Sequence, residues 1–125
     1  NANPDSVKAA LELLATLPAP RLMVLGDMGE VGHQGEMFHA QAGALAQKLG
    51  IEYLFTHGPL SSAAAGQAIG ARHFDDMPAL IAAVLETLPA TRSVLVKGSR
   101  FMRMERVVEA ITQHAHHPQA EPHAA

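Results

Sequence analysis

The chain of 125 residues contains no cysteine, no tryptophan and one tyrosine, and aromatic residues make up only 4% of it. Without cysteine there are no disulfides and no thiolate metal sites, although that absence does not fix the compartment. With so few rings, a core must be built from Leu, Val, Ile, Ala and Met. Long apolar runs are missing too: none approaches the roughly 20 residues of a membrane-spanning helix. No secretory leader pattern opens the chain as given. Nor is there an excess of positive charge. The formal net charge is −3, and no basic stripe dominates, which argues against a face that binds nucleic acid by neutralising phosphates.

What is present suits one domain. Hydrophobic residues reach 48% and charged residues 17%, a balance that favours a packed core over disorder. Helical and extended patterns alternate along the chain. A helix is expected over residues 4–17, with Asn3 at its N-cap, Pro4 at its first position and Pro18 and Pro20 ending it. RLMVLGDM (21–28) reads as a strand buried on both faces. After a glycine-rich loop (26–35), a helix over 36–49 carries Phe38, Ala42, Leu45 and Leu49 on one stripe and closes at Gly50. IEYLFTHG (51–58) predicts a second strand, and an alanine-rich helix starting at Pro59 is expected to run to about 69. ARHFDD (71–76) is a short edge strand, residues 78–88 a helix, RSVLVKGS (92–99) a fourth, buried strand, and 103–113 a last helix.

This order predicts an α/β fold of three layers, a mostly parallel sheet with helices on both faces. Ligands of such sheets bind beyond the carboxyl ends of the strands. Loops 26–35, 57–61 and 97–102 fall there. The final segment, HAHHPQAEPHAA (114–125), is polar and helix-breaking and is expected to be a flexible tail.

Two loops carry candidate chemistry. In GDMGEVG the glycines have neither dinucleotide nor P-loop spacing, and Asp27 and Glu30 would repel phosphate. The glycines can simply permit a tight turn; alternatively, Asp27 and Glu30 face the cleft and meet an ammonium group. The stronger signal is SVLVKGSRFMRME. A strand ending in Lys97-Gly98-Ser99-Arg100 just before a helix predicts outward-facing amide N–H groups at a positive helix end, reinforced by two cations. Arginine grips a carboxylate with two parallel hydrogen bonds. Glu36 and His39 alone make a poor metal site, and His114, His116, His117 and His123 are read as incidental. Asp27, Thr56 and Lys97 superficially match a phosphoacceptor receiver, yet no further acidic residues stand beside Asp27 to hold Mg²⁺.

Taken together, NANPDS, VLGDMGEVG, the helix with His39 and Gly43, and VLVKGSRFMRME resemble the C-terminal domain of the Mur ligases over residues 1 to about 112. The likeness is greatest to the branch that joins D-alanyl-D-alanine to UDP-N-acetylmuramoyl-tripeptide in peptidoglycan precursor synthesis. It implies a monomeric bacterial cytoplasmic enzyme of three domains that uses ATP and Mg²⁺. Residues 1–113 would be the third domain, with 1–6 a remnant of the interdomain hinge, which would also account for a chain that starts at Asn1. The N-terminal domain and the central ATPase domain would be its partners, since the P-loop, carbamylated lysine and magnesium ligands of the family have no match here. Alone, the domain is expected to bind no cofactor, metal, nucleic acid or membrane and to be inactive. By the same resemblance, Asn1, Asn3 and Asp5 approach adenine and ribose. Lys97, Gly98, Ser99 and Arg100 line the site of the incoming dipeptide, and Asp27 or Glu30 orients its amine. The alternative is a free-standing flavodoxin-like or receiver-like module for a small anion.

Overall fold

The computed structural model describes residues 2–29 and 31–116. Four strands form one parallel sheet in the order β3-β2-β1-β4, with β1 at Arg21–Gly26, β2 at Tyr53–His57, β3 at Arg72–Phe74 and β4 at Ser93–Lys97. Among the described residues five α-helices flank it: α1 (Pro4–Ala15), α2 (Gly35–Lys48), α3 (Ser62–Ala65), α4 (Met77–Thr87) and α5 (Glu105–His116). β1 is paired on both sides, Val24 facing Phe55 of β2 and Val96 of β4.

The alternation of β1 side chains divides the interior into two cores. Met23 and Leu25 pack with Val7, Leu11, Leu14, Ala42 and Ala46 of α1 and α2 on one face. Leu22 and Val24 pack with Phe55, Leu80, Val84, Met104 and Val107 on the other, under α4 and α5. The continuous apolar run of β1 is thus the product of two buried faces, and the expected three-layer architecture holds.

Local signals explain most boundaries. Asn3 Oδ1 accepts from the Ser6 amide at 2.8 Å while Ser6 Oγ accepts from the Asn3 amide at 3.0 Å, a reciprocal capping box ahead of Pro4. Asp76 caps α4 through the Ala79 amide at 2.7 Å. Gly50, at φ +75°, ends α2 in the left-handed region.

Three expectations need correction. The alanine-rich helix is only Ser62–Ala65, because Gly66 and then Gly70, at φ +80°, break the run before β3. This short helix lies against α2 at Gly43, where a Cβ would stand 2.0 Å from the Ala64 carbonyl oxygen. β4 is an edge strand of the described sheet, and its Val94, Leu95 and Val96 are half-buried rather than buried as expected. Finally, α5 starts at Glu105: Arg100–Met102 form a separate 3₁₀ turn, ended by Arg103 in the left-handed region at φ 53°. α5 continues to His116, past the expected start of the tail; the rest of that tail, 117–125, lies outside the described residues.

Candidate functional site

Chain order fixes where a site can form. From β1 the strands step to β2 and β3 on one side, and then β4 returns to the other side of β1. The carboxyl ends of β1 and β4 therefore flank the point where strand order reverses, the position at which open parallel sheets leave a crevice. The 26–29 and 97–100 segments both emerge there.

Much of that crevice is closed by packing. A Cβ on Gly98 would lie 2.5 Å from Met104 Cγ and 3.3 Å from Gly26 Cα, and one on Gly26 would lie 2.7 Å from Met104 Sδ. Both glycines therefore let two strand ends approach under the Met104 side chain. Ser99 is 3% exposed. Its amide donates to the Asp27 carbonyl at 3.0 Å, its hydroxyl accepts from the Gly29 amide, and the same hydroxyl donates to the Ala2 carbonyl at 3.3 Å. Ser99 ties together the start of the chain, the β1 loop and the β4 loop. The amide expected to face a ligand is occupied, and the helix dipole expected behind it belongs to α5, which begins six residues later at Glu105.

Asp27 does not face the cleft. Its carboxylate, 3% exposed, accepts from the Leu60 amide at 3.0 Å, the Ser61 amide at 2.8 Å and the Ser61 hydroxyl at 2.6 Å. The loop after β2 folds onto this carboxylate so closely that a Cβ on Gly58, at φ +118°, would lie 2.4 Å from Asp27 Oδ1. Asp27 is a tether for residues 58–61, not a partner for an amine. The receiver-like reading fails on the same geometry, since the acceptor carboxylate is buried and fully engaged. Buried Thr56 pairs instead with His73 Nδ1 at 2.7 Å.

His39 is 0% exposed; Nδ1 donates to the Gly35 carbonyl at 2.7 Å and Nε2 accepts from the Met28 amide at 2.9 Å. With both nitrogens engaged, no lone pair remains for a metal. Among the described residues no three His, Asp or Glu side chains converge as a metal site.

Three surface depressions among the described residues bear on the expected positions. The first, about 270 Å³, is lined by Val96, Lys97, Gly98, Ser99, Arg100, Met104, Glu105 and Val108. Here the two expected cations meet one rim: Lys97 is half-buried and Arg100 exposed. Phe101 follows, 66% exposed, its ring 3.2 Å from where a Gly29 Cβ would stand. The second, about 240 Å³, runs between α1 and α2 and includes Pro4, Asp5, Lys8, Met28, Phe38 and Leu45. Asp5 is exposed on this groove, whereas the Asn3 side chain is committed to capping α1. Asn1 and Glu30 lie outside the described residues.

The third depression, about 370 Å³, has His57, Pro59, His73, Asp75 and Met102 at the carboxyl ends of β2 and β3. His73 Nε2 is 3.7 Å from Asp75, and His57 Nδ1 donates to the Phe74 carbonyl at 2.9 Å. Sequence reasoning placed the 57–61 loop at this rim but did not single out its histidines. It also passed over Glu105, which could have been read as a carboxylate five residues beyond Arg100.

Comparison with known proteins fits this picture. The model of the family described as "Mur ligase, glutamate ligase domain" matches residues 1–100. The UDP-N-acetylmuramoyl-tripeptide–D-alanyl-D-alanine ligase of Escherichia coli (strain K12) is 40% identical over 116 residues, covering 90% of this chain and 25% of that protein. The enzyme of the same name from Bacillus subtilis (strain 168) is 33% identical, over 90% of this chain and 26% of its own length. The crystal structure of MurF from Acinetobacter baumannii superimposes with a TM-score of 0.78 at 32% identity, covering 90% of this chain and 26% of the other. MurF from Thermotoga maritima in complex with ADP, at 24% identity and the same TM-score of 0.78, supports the fold. The chain thus spans about a quarter of the length of these relatives. It belongs to the Mur ligase family, as the C-terminal domain of that architecture.

Proposed function

We propose that this domain presents D-alanyl-D-alanine to an acyl phosphate formed on UDP-N-acetylmuramoyl-tripeptide, within a larger ATP-dependent ligase of bacterial peptidoglycan synthesis. The observation that supports this reading is the depression between the carboxyl end of β4 and the start of α5, where Lys97 and Arg100 share one rim. ATP phosphorylates the tripeptide carboxylate; the dipeptide amine attacks the acyl carbon, phosphate leaves with the bonding electrons, and the amine proton passes to solvent or a base. An amide, ADP and phosphate result. The phosphoryl chemistry belongs to the central domain, because no P-loop sequence occurs in this chain. Mg²⁺ needs several oxygen ligands. The described residues offer no such cluster, so no step is assigned to a metal here.

In this reading Lys97 and Arg100 hold the dipeptide carboxylate, Gly98 permits the close packing that sets the cleft floor, and Ser99 fixes the loop. Holding the amine near the acyl carbon replaces a bimolecular encounter with a positioned one. Exposed Asp5 supports a nucleoside contact at the hinge, with Asn3 shaping that turn and Asn1 completing the segment. Residues 1–6 as hinge, a monomeric state and a cytoplasmic setting belong to the same proposal. No helix among the described residues is long and apolar enough to cross a membrane.

Arg100→Ala in the complete ligase tests the site. Loss of a charge-assisted hydrogen bond corresponds to roughly 10- to 100-fold, so KM for the dipeptide should rise by that factor with KM for ATP unchanged. An unaltered KM and kcat would remove Arg100 from the site.

A further inference from the structure

A small dipeptide is a zwitterion. The ends of two extended residues lie at most about 7 Å apart, so the carboxylate that meets its ammonium group must line the same cleft as the cations that meet its carboxylate. Asp27 is disqualified because its oxygens are buried against Leu60 and Ser61. Glu105 does line the cleft with Lys97 and Arg100. It is the first residue of α5 and is exposed, and among the described residues no hydrogen bond or ion pair is formed by its carboxylate. Val108, one turn further along α5 and 48% exposed, shares the cleft with Val96 and Met104. The lining therefore combines a cationic rim, an anionic rim and aliphatic side chains, which matches a small zwitterion bearing methyl groups. Its volume of about 270 Å³ falls just below the roughly 300–1,000 Å³ of sites for drug-sized ligands.

We infer that Glu105 is a positioning residue that holds the ammonium group of the incoming dipeptide, while Lys97 and Arg100 hold its carboxylate. This inference rests on the dipeptide site proposed above. A carboxylate in the first turn of a helix also suits the macrodipole, but that role affects stability and has no preference among ligands.

The test uses the complete ligase carrying this domain, with D-alanyl-D-alanine and an analogue in which hydroxyl replaces the amine, used as a competitive inhibitor. In Glu105→Gln, KM for the dipeptide should rise roughly tenfold while KM for ATP and the inhibition constant of the hydroxyl analogue stay unchanged. Glu105→Asp should recover part of the loss. An unchanged dipeptide KM in Glu105→Gln, or equal weakening of dipeptide and analogue, with Arg100→Ala still raising KM, would overturn the role of Glu105 and leave the site standing. If neither variant alters binding, the site proposal falls and the inference with it.

Discussion

The two ends of the sheet treat arginine in opposite ways. At the amino end, Arg21 is turned inward, its side chain 12% exposed. Its guanidinium donates to both Glu52 oxygens at 3.0 and 3.2 Å, to the Ala15 carbonyl at 2.7 Å and to the Gly50 carbonyl at 3.0 Å. One side chain thus joins the end of α1, the end of α2 and the start of β2. At the carboxyl end, Arg100 is exposed on a 3₁₀ turn, beside a cleft it shares with Lys97 and Glu105. There buried Asp27 and Ser99 tie the loops together, while Lys97 is half-buried and Arg100 exposed. Charge at the amino end joins three elements of the fold, whereas at the carboxyl end buried polar groups join the loops and the cations line a cleft.

That contrast can be broken at several points. The largest effect on folding is expected from Asp27→Ala. It leaves the Leu60 amide and the Ser61 amide and hydroxyl without their acceptor. At about 1 kcal/mol or more for each buried unsatisfied group, urea denaturation should show a loss of about 3 kcal/mol. Gly43→Ala comes next. Its methyl would press on the backbone of α3, and overpacking of this kind costs about 1–3 kcal/mol, seen as a lower urea midpoint. Neither change touches a proposed ligand contact.

A smaller effect sharpens the account of the amino end. The hydrogen bond from the Arg21 side chain holds the Glu52 carboxyl well below its ordinary value of 4.5, at about 2, against a smaller opposing effect of burial. A carboxyl depressed in the folded state adds stability above its unfolded pKa and loses it as pH falls toward the folded one. The contribution should therefore fade between about pH 4.5 and pH 2. Because Glu52 is 35% exposed, solvent screening keeps it below about 1 kcal/mol. Glu52→Gln should flatten that part of the Tm–pH curve. A wild-type slope retained in the variant would assign it to other carboxyls.

How legible these ends were follows from the range of each interaction. The Asn3-Pro4 cap and the doubly buried run of β1 are local patterns, and both read correctly. So did the arrangement of parallel strands under two helical layers, because each element carried its own periodicity. The destination of Asp27 was not legible: its partners lie 33 and 34 residues away, and GDMG looks the same whether its carboxylate faces solvent or another loop. Ser99 hides a still longer link, 97 residues back to Ala2. The 3₁₀ turn before α5 depends on a left-handed Arg103, a conformation that no glycine advertised. Without that turn, Glu105 falls inside a predicted helix and its place beside the cations goes unseen. β4 looked fully buried because an edge strand half-covered by helices still needs apolar side chains.

The central claim is that the carboxyl-end cations bind the carboxylate of the incoming dipeptide. It is tested most directly by comparing KM for D-alanyl-D-alanine with KM for its C-terminal amide, in the complete ligase and in its Lys97→Ala/Arg100→Ala variant. The wild type should disfavour the amide roughly 10-fold or more, and the variant should treat the two ligands alike. An amide penalty of the same size in both proteins would contradict the claim.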